Sequence, residues 1–346
     1  MNEVDMNRRV TIKDIAEEMG VSTATVSNVI HGKTKKISDR TVAKVQEKLQ
    51  ESGYIPNMAA VLLAQNSSRI VCVMVSDHEK YEGKMLEDPF VAQMINTISK
   101  ELSACGYFMM VKEERNIENI VTYASMWNMA GLILMGYCAV DYEKLRSKMH
   151  IPFVVVDSYE RNVKNYIDIG IDNIGGGYQA GQYLIQNGHE KILYFADNKE
   201  DGDLFRYQGL VKALRENQME VDEDFYRIVN IEKSMREIDY EGMFAYIQEK
   251  EITAVFAASD QYALEFMRFL LKKDVKVPDE VSIMGFDDIP LASQVYPALS
   301  TISQDIPLRA KMAVEMLQDQ IEGNSTGRSV LLPAKLIERE SVTKRK

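Results

Sequence analysis

No apolar run in this chain approaches the roughly 18–20 residues that a membrane-crossing helix needs. Its first ten residues, MNEVDMNRRV, hold no apolar core of the kind a secretory leader carries. Neither a membrane span nor export is expected, and the cytoplasm is the expected compartment. Cysteine is scarce as well. Cys72, Cys105 and Cys138 form no CxxC pair and leave an odd number, which suits a reducing compartment and argues against a disulfide framework. They are expected to be core fillers. Their even spacing is no repeat, because the flanks IVCVMV, LSACGYF and MGYCAVD share no pattern. His31, His78, His150 and His189 are too scattered for an HxxxH or HExxH pair, so no metal is expected. The chain also lacks a Walker GxxxxGK[ST] stretch and a GxSxG elbow. No catalytic residue and no cofactor is assigned.

What is present is a chain of 346 residues, 46% apolar and 27% charged, with room for two or three domains. Its net charge of -11 is unevenly divided. Residues 1–68 hold nine Lys/Arg against eight Asp/Glu, and the remainder 32 against 44. A mildly basic head therefore precedes an acidic body. Within the head, Lys33, Lys35, Lys36, Arg40, Lys44 and Lys48 face only Asp39 and Glu47, a cluster suited to phosphates. From Ser52 to Ser68 there is no charge at all.

Thr11 is a good N-cap, and Ile12, Ile15, Ala16 and Met19 recur at helical spacing, so residues 12–19 are expected to form a short amphipathic helix ended by Gly20. Ser22 caps a second helix with Val26, Val29 and Ile30 inward and Thr23, Ala24, Ser27 and Asn28 outward. Two helices joined by a short glycine-containing turn make a helix-turn-helix. A third starts at Ser38, turns Val42, Val45 and Leu49 inward, and stops at Gly53.

The run TIKDIAEEMGVSTATVSNVIHGK, followed by the later GYIPN, resembles the DNA-binding head of the lactose-repressor-type (LacI/GalR) family of transcription regulators. The resemblance implies that Thr23, Ala24 and Asn28 read bases in the major groove and that Thr11, Ser22, Thr25 and Ser27 lie near phosphates. Asn28 departs from the commonest family pattern, which has Arg there. Arg reads guanine bidentately and Asn suits adenine, so an A·T pair is expected at that position of the half-site. The uncharged YIPNMAAVLLAQ then matches the family's hinge helix, which pairs with its dyad mate in the minor groove and wedges a leucine between base pairs. Leu63 takes the wedge position, Ala60 allows close approach, and Asn57 opens the segment. A helix this short folds only with DNA and its mate present.

Beyond Arg69, apolar strands alternate with amphipathic helices. The strands are IVCVMV, YFMMV, GLILM, PFVVV, KILYF, AVFAA and VSIMGF; helices are expected over 90–104, 117–128, 174–187, 206–217, 235–249, 261–272 and 308–322. This α/β rhythm predicts parallel sheets covered by helices, in two lobes, with a ligand near the strand C-termini. The stretches DPF, RYQGL, ITAVFAASDQYAL, VPDEVSIMGFDDIPLA and PALSTISQ resemble the periplasmic-binding-protein-like body of the same family. By that resemblance Asp287 accepts from and Arg206 donates to ligand hydroxyls. Ser76, Asp157, Ser259, Asp260 and Gln304 complete a polar ring, with Phe90 and Phe286 as apolar faces. Ser259 stands where many relatives have Asn, and Val91 where many have a second aromatic. The effector's identity does not carry over. The acidic stretch DNKEDGDLF, near the expected mouth, disfavours a phosphorylated ligand.

The stretch IGGGYQA also imitates a dinucleotide fingerprint, Gly175-x-Gly177-x-x-Ala180, with Asp197 further on, as in an NAD-dependent oxidoreductase. Its glycines follow DNI and do not end an unbroken strand. A pure sugar-binding receptor is the third class, but such a receptor needs no helix-turn-helix. The expected organisation is a DNA-binding head at 1–56, a hinge at 57–68 and an effector-binding, dimerising body at 69–346. The expected function is a homodimeric regulator, a repressor of a palindromic operator, controlled by a small molecule of the sugar class. Only TKRK follows ERESV, so no leucine-heptad tail for tetramers is expected.

Overall fold

A computed structural model describes residues 10–30, 32–55, 68–76, 81, 83–137, 139–157, 167–324 and 329–345, apart from the side chains of 139, 140 and 223. The described chain falls into two compact units, one before residue 68 and one from Ser68 onward.

The head unit contains α1 (Ile12–Met19), α2 (Thr23–Ile30) and α3 (Asp39–Glu51). Each start is fixed by a side-chain oxygen that satisfies an orphan backbone N–H. Thr11 and Asp14 form a reciprocal capping box, with Thr11 N donating to Asp14 Oδ2 at 2.8 Å. Ser22 accepts from Thr25 N at 3.1 Å and Ser38 from Thr41 N at 3.2 Å. Gly20 ends α1 at φ 64°, a left-handed turn that lets Val21 N reach back to Ala16 O. The core is small: Ile15, Ala16, Val26, Val29 and Val45.

The body has twelve strands and eight α-helices among the described residues. A six-stranded parallel sheet is ordered β11-β5-β4-β3-β1-β2, from β1 (Ile70–Val75), β2 (Phe108–Glu113), β3 (Gly131–Met135), β4 (Phe153–Val156), β5 (Asp168–Ile171) and β11 (Ser329–Leu332). The second lobe carries a four-stranded parallel sheet, β7-β6-β8-β9, from β6 (Ile192–Ala196), β7 (Tyr226–Ile228), β8 (Ala254–Ala257) and β9 (Ser282–Met284). An antiparallel pair, β10 (Thr301–Ser303) and β12 (Lys335–Ile337), completes the strands. Central strands are apolar on both faces because both are covered. Val71, Val73 and Val75 enter one core cluster while Cys72 and Met74, pointing oppositely, enter another.

Helices α4 (Pro89–Ala104), α5 (Ile117–Met126) and α6 (Ala139–Lys148) belong to the first lobe; α7 (Asn173–Gln186), α8 (Asp201–Glu216), α9 (Arg236–Lys250) and α10 (Asp260–Lys272) to the second. The chain passes between lobes three times: from β5 into α7, from β10 into α11 (Ile306–Ile321), which packs on α4 and the first sheet, and from β11 into β12.

Several expectations shift. Helix α8 begins at Asp201, five residues before the expected start, since Asp201 and Asp203 favour the positive end of its dipole. The acidic stretch is thus half helix. Cys105 is exposed at the end of α4 and is no core filler, whereas Cys72 is buried, its thiol pushed up to about 12 by burial. Cys138 lies outside the described residues, as do His31 and His78. His189 is buried between Thr253 Oγ1 at 2.8 Å and Thr343 O at 3.1 Å, its pKa lowered by burial.

Candidate functional site

In the head, the buried stripe of α2 settles which residues face outward. Val26 and Val29 pack inward, leaving Ser22, Thr23, Ala24 and Asn28 exposed and Thr25 and Ser27 half-buried. Ala24 and Asn28, one turn apart, share the exposed face. Thr11 is exposed at the start of α1. Lys33, Lys35, Lys36, Arg40 and Lys44 are exposed too, but Lys48 is tied to Glu18, whose hydrogen bond raises its pKa. Lys48 is therefore less available to phosphate than its neighbours. Asn57, Ala60 and Leu63 lie outside the described residues.

In the body, the expected ring residues sit just beyond strand C-termini: Ser76 after β1, Asp157 after β4, Ser259 after β8 and Asp287 after β9. At Asp287 the backbone takes φ 122° and at Asp288 φ 61°, conformations few L-residues adopt. What holds them is a set of bonds from distant segments. Asp287 N donates to Ile302 O at 2.8 Å, and Arg339 grips Asp288.

Asp260, expected in the ring, also supports that loop. It is fully buried, accepts from Thr301 Oγ1, and accepts from Ile289 N at 2.9 Å. Its own N–H donates to Phe286 O at 2.7 Å. Burial and then Asp287 push its carboxyl well above the usual carboxylate range. Ser259 caps α10 by accepting from Tyr262 N at 3.3 Å. Phe286, expected as an apolar face, is fully buried with the Arg206 guanidinium 3.9 Å from its ring centre. Arg206 donates to Asn173 Oδ1 at 2.9 Å and to Ala258 O, and its Nη1 lies 3.5 Å from Asp203.

The remaining residues form a polar chain from lobe to lobe. Gln304 donates to Asp287 and accepts from Arg309, which in turn donates to Asp157. Phe90, half-buried in the first turn of α4, lies with its ring 5.5 Å from the Arg309 guanidinium. Ser76 is half-buried and its backbone N–H is used by Met135 O at 2.9 Å. Arg309 and Asn173 were not foreseen. The signal was an arginine on the apolar stripe of α11, beside Ile306, Ala310 and Ala313.

The glycine-rich stretch does other work than phosphate binding. Asp172 caps α7 by accepting from Gly175 N at 2.9 Å, so a carboxylate sits where a pyrophosphate would have to. Gly177 lets α8 approach: a Cβ there would lie 1.9 Å from Arg206 O, and one at Gly209 2.2 Å from Ile174 O.

A capped helix-turn-helix on a two-lobed, parallel-sheet body with a polar cleft defines a DNA-binding regulator with a ligand-binding domain. Residues 11–57 match the family described as bacterial regulatory proteins, lacI family, and residues 182–342 match the periplasmic binding protein-like domain. The HTH-type transcriptional repressor PurR of Pectobacterium carotovorum subsp. carotovorum is 32% identical, over 96% of each chain. This chain belongs to the lacI family. Among solved structures, the lac repressor dimer bound to operator and the anti-inducer ONPF is similar with a TM-score of 0.82 and 25% identity, over 97% of this chain and 100% of that one. A complex of the transcriptional regulator CelR with cellobiose gives 0.70 and 27%, over 96% and 100%. Among the described residues, no helix is long and apolar enough to cross a membrane.

Proposed function

We propose that the protein is a cytoplasmic, homodimeric repressor that holds a palindromic operator through two heads and lets go, or takes hold, when a sugar-class effector enters the cleft. The observation that carries it is the exposed face of α2, with Thr23, Ala24 and Asn28 outward over a helix-turn-helix whose every start is capped. Thr11, Ser22, Thr25 and Ser27 are assigned to phosphates. One head reads only a few base pairs, which is why two are needed. Residues 1–56 are assigned to the head, 57–68 to a hinge whose Leu63 wedges the minor groove beside Ala60 and Asn57, and 69–346 to effector binding and dimerisation.

In the cleft, Asp287, Asp157 and Gln304 are assigned to ligand hydroxyls, with Arg206 as donor and Ser76, Ser259 and Phe90 at the margins. The sugar-bound relative supports that class of ligand. Catalysis is not assigned, because the residues present supply binding contacts and the glycines of α7 are used for packing. Effector binding is expected to change operator affinity by about 5–150-fold, the usual range of such coupling. Gel-shift titration of inverted-repeat DNA selected from random sequence, with and without a sugar panel and across a salt series, tests this. Absence of preference for any inverted repeat, or affinity indifferent to salt, overturns it. Leu63→Ala is expected to abolish tight operator binding while sparing effector binding.

A further inference from the structure

Arg309 carries a full charge at 0% exposure. A guanidinium taken out of water this completely is tolerated only with a counter-charge and hydrogen-bond acceptors. Asp157 supplies the first and Gln304 Oε1 a further acceptor. Its Nε, equally buried, has no hydrogen-bond partner among the described residues. The Nε–H is therefore an unused donor beside Phe90 and the Asp157–Gln304–Asp287 chain.

The cleft's charges are otherwise committed. Arg206 stands 3.5 Å from Asp203, and Arg309 is paired with Asp157. Asp287, which accepts from the neutral amide of Gln304, adds a further carboxylate to the cleft. A phosphate or carboxylate entering here meets cations already cancelled and must displace Asp157 from Arg309 to gain one. A hydroxyl or ring oxygen faces no such cost. It takes the Nε–H, and neighbouring hydroxyls donate to Asp287 and Asp157.

Resting on the assignment of this cleft to the effector, we propose that Arg309 is a specificity-determining residue, and that its pairing with Asp157 selects an uncharged polyhydroxy effector against phosphorylated or carboxylated counterparts. The pair acts as an internal salt that keeps the donor geometry of arginine while removing its attraction for anions.

The test uses the full chain and its thermal unfolding midpoint at constant ionic strength, with inorganic phosphate and glucuronate as probes. The wild type is expected to show no saturable shift with either. Asp157→Asn uncovers the Arg309 charge and is expected to gain a saturable upward shift with both, which the double variant Asp157→Asn/Arg309→Met loses. Asp157→Ser replaces Asp157→Asn should the latter fail to fold. A wild type stabilised by phosphate or glucuronate, a folded single variant that gains nothing, or a double variant that responds like the single one overturns the proposal. Failure of the wild type to bind any inverted repeat would instead remove the regulator assignment and leave the charge preference standing.

Discussion

The head and the body are each stabilised internally, by bonds of opposite range. Each capping bond of the head joins residues three apart, as at Thr11–Asp14, Ser22–Thr25 and Ser38–Thr41. In the body's cleft, Arg309 meets Asp157 across 152 positions and Arg206 meets Asn173 across 33. Glycine follows the same division. Gly20 in the head serves a left-handed turn with nothing within 4 Å of where a Cβ would stand, while Gly177 in the body has an ordinary turn of helix and no room. The head is specified locally and the body by what distant segments bring to one place, so a single substitution should act differently in each.

The largest expected effect tests that contrast directly. Gly177→Ala drives a methyl into the Arg206 carbonyl, and overpacking of backbone against backbone should cost about 3 kcal/mol, read as a lower unfolding midpoint of the body. Gly20→Ala meets no atom and should cost only the left-handed penalty, about 1–2 kcal/mol. Equal effects would break the comparison.

Next comes Asp260, whose carboxyl pKa is raised by burial and then by Asp287. Its folded pKa is raised, so the folded state binds more protons than the unfolded one, and the stability it contributes is full below the ordinary aspartate range and lost as pH rises. Asp260→Asn should therefore flatten the fall in stability as pH rises above the ordinary aspartate range, since Asn can accept from Ile289 N while Thr301 turns to accept from it. Asp260→Ala strands both partners and should cost about 1–3 kcal/mol at every pH. Urea midpoints of the three proteins across pH decide it; parallel curves for wild type and Asn variant would show that Asp260 is ionised.

These ranges explain what could be read from residues alone. The α1 and α2 boundaries follow from Thr11, Gly20 and Ser22 because cap, stripe and stop lie within one turn of each other. Strands such as IVCVMV were legible because both faces are apolar. The short β5, β7, β10 and β12 carry no such run, and exist because a neighbouring strand offers its edge; α6, mostly polar, leaves no apolar stripe to read. The resemblance named Asp287, Arg206, Gln304, Asp260 and Phe286 but said nothing of how they are held. Only the fold shows that Asp260 ties down the Asp287 loop and that Phe286 lies under Arg206. Arg309 needed the crossing of α11 against β4 before its partner was visible.

A smaller effect separates folding from recognition within the head. Asn28 is exposed and lies off the buried Val26–Val29 stripe, so Asn28→Ala should leave the unfolding midpoint in place. Its cost should appear as about 1–3 kcal/mol of lost discrimination at one A·T pair of each half-site, measured by competition between operators changed at that pair. Guanine preferred there by the wild type would refute the adenine assignment.

The smallest expected effect lies at Thr11, where a cap and a phosphate contact are assigned to one hydroxyl. Thr11→Ala removes the acceptor used by Asp14 N, and should cost about 1 kcal/mol of head stability together with operator affinity. Thr11→Ser keeps an oxygen in the same place and should restore both. If Ala lowers stability but leaves the salt slope of operator binding unchanged, the hydroxyl caps α1 and touches no phosphate. A slope reduced by the Ala variant and restored by Ser would place the DNA backbone at the start of α1, where the capping box has fixed the first turn before any partner arrives.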